Sequence, residues 1–339
     1  MIRARRVLLG IAAVLVLVGC DSPAPRSEAP VRRLVYVTHI GAANGEAIVI
    51  ARVDGTQGHR LTSGFEPRIS PDGRWVAFFR CPRCRPDSVG ARVDLYAVAS
   101  ESGKPRLLVR DARLAEWAPN SKTILTEHAA ALVAVSLAGE RRTLARGRDF
   151  SADFSPDGQT IVFDRPRHGS VLCGGGAELV TVPVDGGRVR LLTSNGAFPV
   201  WRARSIAFRR GVQPRCGVHT IWVVRPDGSG VRAVAPRLPR DVTQAGEYGL
   251  SPVAWLPGGR KLLASLDNEF SNEAAVVDVR TGALRRLRVP VDAVSRDGRW
   301  IVGQSGGAEF PYSIVIAPVA GGRPRTIAHG LVCCPDWNR

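Results

Sequence analysis

Lysine is almost missing from this 339-residue sequence: Lys104, Lys122 and Lys261 are the only three, so 44 of its 47 basic side chains are arginine. Aromatic residues make up only 6% and methionine occurs once. No stretch of Lys and Arg alternates with aromatics, which excludes a base-stacking groove, so nucleic acid is not an expected partner. Neither a Gly-X-Y period nor sustained heptads occur, which excludes collagen and coiled coil. Histidine is equally unhelpful to catalysis. His39, His59, His128, His168, His219 and His329 are scattered and form no HxH or HExxH spacing. No Gly-x-Ser-x-Gly elbow sits in a strand–turn–helix context. Gly174-Gly175-Gly176 lies between strands, without the following helix that a phosphate site needs. The expectation is a protein without catalysis, cofactor or metal.

What the sequence does contain is turn material and apolar bulk. It has 36 Gly, 24 Pro and 45% hydrophobic residues, enough for a full core interrupted by many reversals. Arg3, Arg5 and Arg6 precede an apolar-and-small run from Val7 to Val18. That run is shorter than the roughly 20 residues a bilayer span takes and has the form of a secretory signal. It ends in Leu17-Val18-Gly19-Cys20, which resembles a bacterial lipobox, so Cys20 is the expected lipidation site. Residues 1–20 are read as a lipoprotein signal, residues 21–31 as a flexible Pro-rich tether and residues 32–339 as the folded body. The expected location is outside the cytoplasm, held to the membrane by the N-terminal lipid. There the net charge of +17 would meet anionic lipid headgroups or anionic envelope polymers, although a GC-rich coding bias is enough to explain most of the arginine excess.

Internal repeats predict the fold. Full copies of one turn are Ile69-Ser70-Pro71-Asp72-Gly73 and Phe154-Ser155-Pro156-Asp157-Gly158, each followed by a β-rich run. Variants begin at Trp117, Trp255 and Val294, a degenerate copy runs from Trp201 to Ile206, and Cys333-Cys334-Pro335-Asp336-Trp337 reads as a last one. Pro, Asp and Gly at these positions build a tight reversal between strands. Independently, alternating apolar runs lead into Gly55, Gly103, Gly139, Gly186, Gly228, Gly282 and Gly321, at spacings of 36 to 54 residues. Two interleaved series of seven imply an all-β, seven-bladed propeller of four-stranded blades. The two series are offset at the ends. Residues around Leu331–Cys334 are therefore expected to supply the innermost strand of the blade that begins at Leu34. An aromatic once per repeat (Tyr36, Phe78, Phe163, Phe208) is expected in the core between blades.

These Ser-Pro-Asp-Gly motifs resemble the WD40-like propeller repeats of the TolB family over nearly all of residues 32–339. The resemblance implies a propeller, six-bladed in TolB itself as the alternative blade count, and a role in binding partner proteins in the periplasm. The expected function is that of an envelope module that binds a protein or peptide and acts as a monomer. The alternative is an envelope enzyme or receptor for a saccharide or peptide at the channel mouth.

The loops after the second strand of each blade rim one mouth of a propeller channel. They nominate His39, Arg80, Glu127, His128, Asp164, Arg165, Arg209, Arg210, Asp267 and Gln304 as a binding rim for an anionic ligand or an acidic segment. Three such loops carry cysteines, for which an oxidising compartment suggests the pairs Cys81–Cys84 and Cys173–Cys216. Cys333 and Cys334 are neighbours on a strand, so their side chains are expected on opposite faces, with a vicinal disulfide the less common outcome.

Overall fold

The hydrogen bonds of the Ser-Pro-Asp-Gly turns explain why the repeat is written this way. Ser70 N–H donates to Trp75 O and Gly73 N–H to Ser70 O, both at 2.8 Å. The Ser70 hydroxyl donates to Asp72 Oδ1 at 2.6 Å and accepts the Trp75 N–H at 2.9 Å. Gly73 has φ 73°, the left-handed region where a Cβ is costly. The same network recurs at Ser155–Asp157 and Ser295–Asp297.

The computed structural model describes residues 33–38, 46–81, 93–148, 150–166, 177–211, 219–234, 249–268, 271–305 and 311–337. Blade 1 holds β1 (Arg33–Thr38), β2 (Ala47–Arg52) and β3 (His59–Ser63). Blade 2 holds β4 (Phe65–Ile69), β5 (Trp75–Arg80), β6 (Asp94–Ala99) and β7 (Arg106–Val109). Blade 3 holds β8 (Ala112–Trp117), β9 (Thr123–His128), β10 (Ala131–Ser136) and β11 (Arg141–Arg146). Blade 4 holds β12 (Ala152–Phe154), β13 (Thr160–Pro166), β14 (Ala177–Pro183) and β15 (Arg190–Thr193). Blade 5 holds β16 (Ala197–Arg202), β17 (Ser205–Gly211), β18 (His219–Val224) and β19 (Arg232–Ala233). Blade 6 holds β20 (Leu250–Trp255), β21 (Lys261–Asn268), β22 (Ser271–Asp278) and β23 (Leu284–Pro290). Blade 7 holds β24 (Ala293–Val294), β25 (Trp300–Ser305), β26 (Tyr312–Pro318) and β27 (Arg325–Gly330). The last strand, β28 (Val332–Trp337), returns to blade 1 as its innermost strand and pairs antiparallel with β1, Leu34 opposite Trp337 and Thr38 opposite Val332.

The result is seven four-stranded antiparallel sheets in a ring, a seven-bladed β-propeller closed by β28 rather than the six-bladed alternative. Among the described residues there is no helix, and so none able to cross a membrane. All seven glycines of the second series lie between the third and fourth strands, each with positive φ.

Two expectations need correcting. Cys333–Trp337 is strand, not a turn, and Trp337 pairs with Leu34 as Trp117 pairs with Ile124 and Trp255 with Leu262. Trp337 is therefore the aromatic that precedes the turn position, and its Pro335-Asp336 only mimics the turn's spelling. The alternation expected of Cys333 and Cys334 also fails. Cys334 has φ 57° in a bulge, which breaks the opposite-face rule, and the two sulfurs are joined as a vicinal disulfide.

Apolar burial runs seam by seam. One buried cluster joins Val35, Val37, Ile48 and Ile50 of blade 1 to Ile69, Val76, Phe78 and Val98 of blade 2, and a comparable cluster fills each of the other six seams. Tyr36, Phe78, Phe163 and Phe208 are buried in these clusters, as the repeat pattern predicts. Each blade is thus covered on both faces by its neighbours, which is why the second strands read as continuous apolar runs.

The arginine excess has structural work. On the outermost strands, Arg106 donates to Leu137 O (2.7 Å), Arg142 to Asp185 O (2.7 Å) and Arg232 to Val279 O (3.1 Å). Arg285 likewise donates to Val319 O at 2.6 Å and Arg325 to Asp54 O at 2.7 Å. Each bond crosses from one blade to the next, just beyond that blade's third strand. Five of the seven seams are latched in the same way.

Candidate functional site

A cavity of about 650 Å3 runs through the middle of the ring, lined by the innermost strands of all seven blades. It reaches the face where the Ser-Pro-Asp-Gly turns lie, with Pro71, Pro119, Pro156 and Pro257 in its wall. Trp117, Trp201 and Trp255 give that wall its aromatic surface. Their indole N–H groups are occupied: Trp117 donates to Arg68 O at 2.9 Å, Trp255 to Val200 O at 3.1 Å and Trp201 to Ala203 O at 3.3 Å.

Glu116, Asp153 and Asp336 are the carboxylates of the wall, and the two aspartates bridge blades. Asp336 Oδ2 accepts the Ile69 N–H of the next blade at 2.9 Å, and Asp153 Oδ2 accepts the Trp201 N–H of the next blade at 2.6 Å. They occupy equivalent places, one residue before Trp337 and Phe154. Arg68, Arg202 and Arg296 also line the cavity. The two aspartates therefore serve the ring, and Glu116 shares the polar character of the channel with the guanidinium groups.

The innermost strands bulge at one repeated place. Glu66, Leu114, Phe198 and Cys334 have φ of 47°, 64°, 52° and 57°, and stand three residues before Ile69, Trp117, Trp201 and Trp337. Side chains this bulky seldom occupy that region, and such strain concentrates at functional sites. Phe198 lines the cavity, is 39% exposed, and carries the Arg209 guanidinium 4.0 Å over its ring.

Among the described residues, none of the rim positions nominated by the sequence lines the cavity. Arg80 donates to Ser63 O at 2.8 Å and Thr62 Oγ1 at 2.6 Å, with its guanidinium over the Phe78 and Tyr96 rings. Arg210 repeats that clamp on Asn195 O and Thr193 Oγ1, over Phe208 and Trp222. Arg165 pairs with the buried Glu178 at 2.5 Å. Glu127 is buried, cross-strand from Arg113, and His128 Nδ1 lies 3.3 Å from Asp111 O. Gln304 N–H donates to Asp292 Oδ2 at 2.7 Å. Asp267 pairs through its backbone with Asn272; its side chain, like His39, lies outside the described residues.

Asp164 is the exception in character. It is 1% exposed, accepts the Ser151 N–H at 2.6 Å and, across the seam, the Phe198 N–H at 2.9 Å. Burial pushes its carboxyl up to about 6, against the downward pull of those two N–H bonds and of Arg209. It thereby links a buried ionisable group to the strained phenylalanine of the channel, a connection invisible in the sequence.

Among the described residues no group of His, Cys, Asp or Glu is arranged to hold a metal. Cys81 is disulfide-bonded, while Cys20, Cys84, Cys173 and Cys216 lie outside the described residues. Ser251 Oγ and His219 Nε2 lie 3.2 Å apart, a contact the sequence did not flag. His219 is buried against Gly249, where a Cβ would meet its backbone, and the pair is not part of the cavity wall. Gly303-Gln304-Ser305 begins a Gly-x-Ser-x-Gly spacing, but Ser305 ends β25 and pairs with Ser313 of an antiparallel neighbour.

No family model matches the chain. Among curated proteins it is similar to the methylamine utilization protein MauF of Paracoccus denitrificans, 32% identical over 137 residues. That match covers 34% of this chain and 50% of MauF, so the chain spans about half the length of the curated relative it matches. Among solved structures it is similar to TolB from Acinetobacter baumannii, at 16% identity and a TM-score of 0.54 over 91% of this chain and 66% of that one. It is also similar to a puromycin-hydrolyzing peptidase from Mycobacterium tuberculosis, at 21% identity and a TM-score of 0.58 over 90% of this chain and 55% of the peptidase. At these identities the likeness is one of fold, shared by binding proteins and by parts of enzymes.

Proposed function

We propose that this chain, a seven-bladed propeller of TolB-like fold, is a lipid-anchored binding module of the bacterial envelope. It takes an extended segment of a partner protein or peptide into its central channel and performs no chemistry of its own. The observation that carries this reading is the channel itself. Its wall is aromatic and proline-rich, Phe198 projects into it from a strained bulge, and its arginines offer donors for carbonyls and carboxylates. Asp153 and Asp336 are committed to backbone N–H groups, so they do not form the pair of independently titrating groups that acid–base chemistry needs. Lipidation at Cys20 and export rest on the signal and lipobox pattern of residues 1–20.

The test is affinity capture from solubilised envelopes with the full chain and with Phe198→Ala/Arg296→Glu, two exposed wall positions. A partner held by the first and released by the second supports a channel-binding module. A partner held equally by both places binding elsewhere and overturns the channel reading. Turnover of a peptide or saccharide abolished by the same variant would make the protein an enzyme and overturn the non-catalytic one.

A further inference from the structure

The outer latches join five of the seven seams; blade 1 has His59 at the arginine position, and blade 4 has the arginine without the bond. Arg106, Arg142, Arg232, Arg285 and Arg325 each stand two residues before an apolar residue of the outermost strand and donate to the next blade. Arg190 holds the same position in blade 4, two residues before the buried Leu192, yet it is exposed and makes no such bond. Blade 5 adds a further arginine at this edge, Arg225, which opens the turn after β18 with its backbone O accepting the Gly228 N–H at 2.9 Å.

The surface around this failed latch differs from the rest of the rim. Leu191 is 57% exposed, the most exposed large apolar side chain among the described residues, and Val231 of blade 5 is 37% exposed. The two edges adjoin, since a Cβ placed on Gly228 of blade 5 would touch Leu192 Cα at 3.7 Å. Arg188 is exposed and forms no ion pair among the described residues, and Arg225 reaches Ser229 of its own turn at 3.4 Å, with the charge of Asp227 near it. The nearby acids are committed: Asp185 pairs with Arg142 at 2.9 Å, and Asp227 accepts the Ser229 N–H of its turn at 2.9 Å.

We propose that this edge of blades 4 and 5 rests on a bilayer that carries anionic lipid. Arg188, Arg190 and Arg225 would meet lipid phosphates while Leu191 and Val231 enter the headgroup layer. Alternating long cations and aliphatic side chains on an outward edge, without a concave seat for a ligand, suit a broad planar anionic surface. Arginine binds phosphate through its planar fork and keeps its charge at every pH of interest. The inference does not rest on the channel reading; it adds a second contact by which the ring is oriented on the membrane.

The test uses the full chain on vesicles of neutral phosphatidylcholine, and on the same lipid with phosphatidylglycerol, at low and high salt. The expected result is tighter binding to the anionic vesicles, lost at high salt. Arg188→Ser/Arg190→Ser should weaken that binding by about 25-fold, since each arginine near an anionic surface contributes about fivefold in affinity. Binding to neutral vesicles, to which the apolar run of residues 7–18 contributes, should not change. Leu191→Ser should weaken the anionic binding further without altering its salt dependence. Equal affinity for both vesicle types overturns the proposal. So does an equal loss in Arg74→Ser/Arg299→Ser, which removes two cations from the turn face and would mean that net charge alone is at work. Tighter binding of a soluble acidic polypeptide through Arg188 and Arg190 would make the edge a protein-docking surface and also overturn it.

Discussion

Asp336 and Ile69 stand 267 residues apart in the chain, yet the carboxylate of the first holds the backbone N–H of the second at 2.9 Å. Asp336 lies on the closing strand and Ile69 on the innermost strand of blade 2, so this bond ties the end of the chain past blade 1 itself. Asp336→Ala should leave a buried N–H unpaired and cost about 1–3 kcal/mol, while Asp336→Asn, which keeps an acceptor oxygen, should cost less. Chemical denaturation of the two variants checks the order. Equal losses would mean that the carboxylate's charge, not its acceptor, is what matters.

Removing β28 should be far worse than removing any one bond in it. A chain ending at Gly330 exposes the unpaired edge of β1 and strips Val332 and Trp337 from the apolar cluster around Leu34 and Ile314. Circular dichroism should show loss of the cooperative melting transition. An unchanged melting curve would mean that the ring is stable open.

Asp164 gives stability a pH dependence of definite sign. Its folded-state value, about 6, lies above the ordinary 3.8, so the folded chain prefers the protonated acid. Its contribution to stability is therefore greatest below about pH 4 and falls as pH rises through 6, with a slope of at most about 1.4 kcal/mol per pH unit. Relative to Asp164→Asn, which does not titrate, the wild-type chain should gain stability as pH is lowered from 7 to 4. A constant difference across that range would show that the two N–H bonds cancel the effect of burial.

The latch and its exception offer a paired test. Arg285→Met keeps an apolar stem but loses the bond to Val319 O, with an expected cost of about 0.5–1.5 kcal/mol. Arg190→Met loses no bond and should be neutral. Equal costs in urea denaturation would deny the latch any energetic role.

Tryptophans in equivalent places should respond differently for the same reason. Trp117→Phe breaks the indole bond to Arg68 O, whereas the buried Trp337 Nε1 has no partner among the described residues. Trp117→Phe should be the more destabilising by about 1 kcal/mol. Thermal melting of the two variants at one pH settles it.

The architecture was readable because its turns are chemically expensive to spell any other way: a hydroxyl, a ring-locked φ, a carboxylate and a glycine must follow one another within four residues. That same reliance on spelling misplaced the last repeat, where Pro335-Asp336 imitates a turn inside a strand. The partners of the rim arginines were hidden for a different reason. Arg80 and Arg210 look free in the sequence because their partners, Thr62 and Thr193, belong to the preceding outer strand, which only the fold brings near. The channel bulges left no trace at all, since Glu66, Leu114, Phe198 and Cys334 share a backbone conformation and no chemistry. The arginine two residues before an outer-strand aliphatic was present in six repeats, but composition alone made it look like coding bias.

The latches and the hub bonds share one property. At the rim a guanidinium of one blade donates to a backbone carbonyl of the next, and at the hub Asp336 and Asp153 each accept a backbone N–H of the next. In both places the partner is main chain, which every residue type but proline supplies in full. A blade can therefore change its side chains without unfastening the neighbour that holds it, and the repeats were free to diverge in sequence while the ring stayed closed.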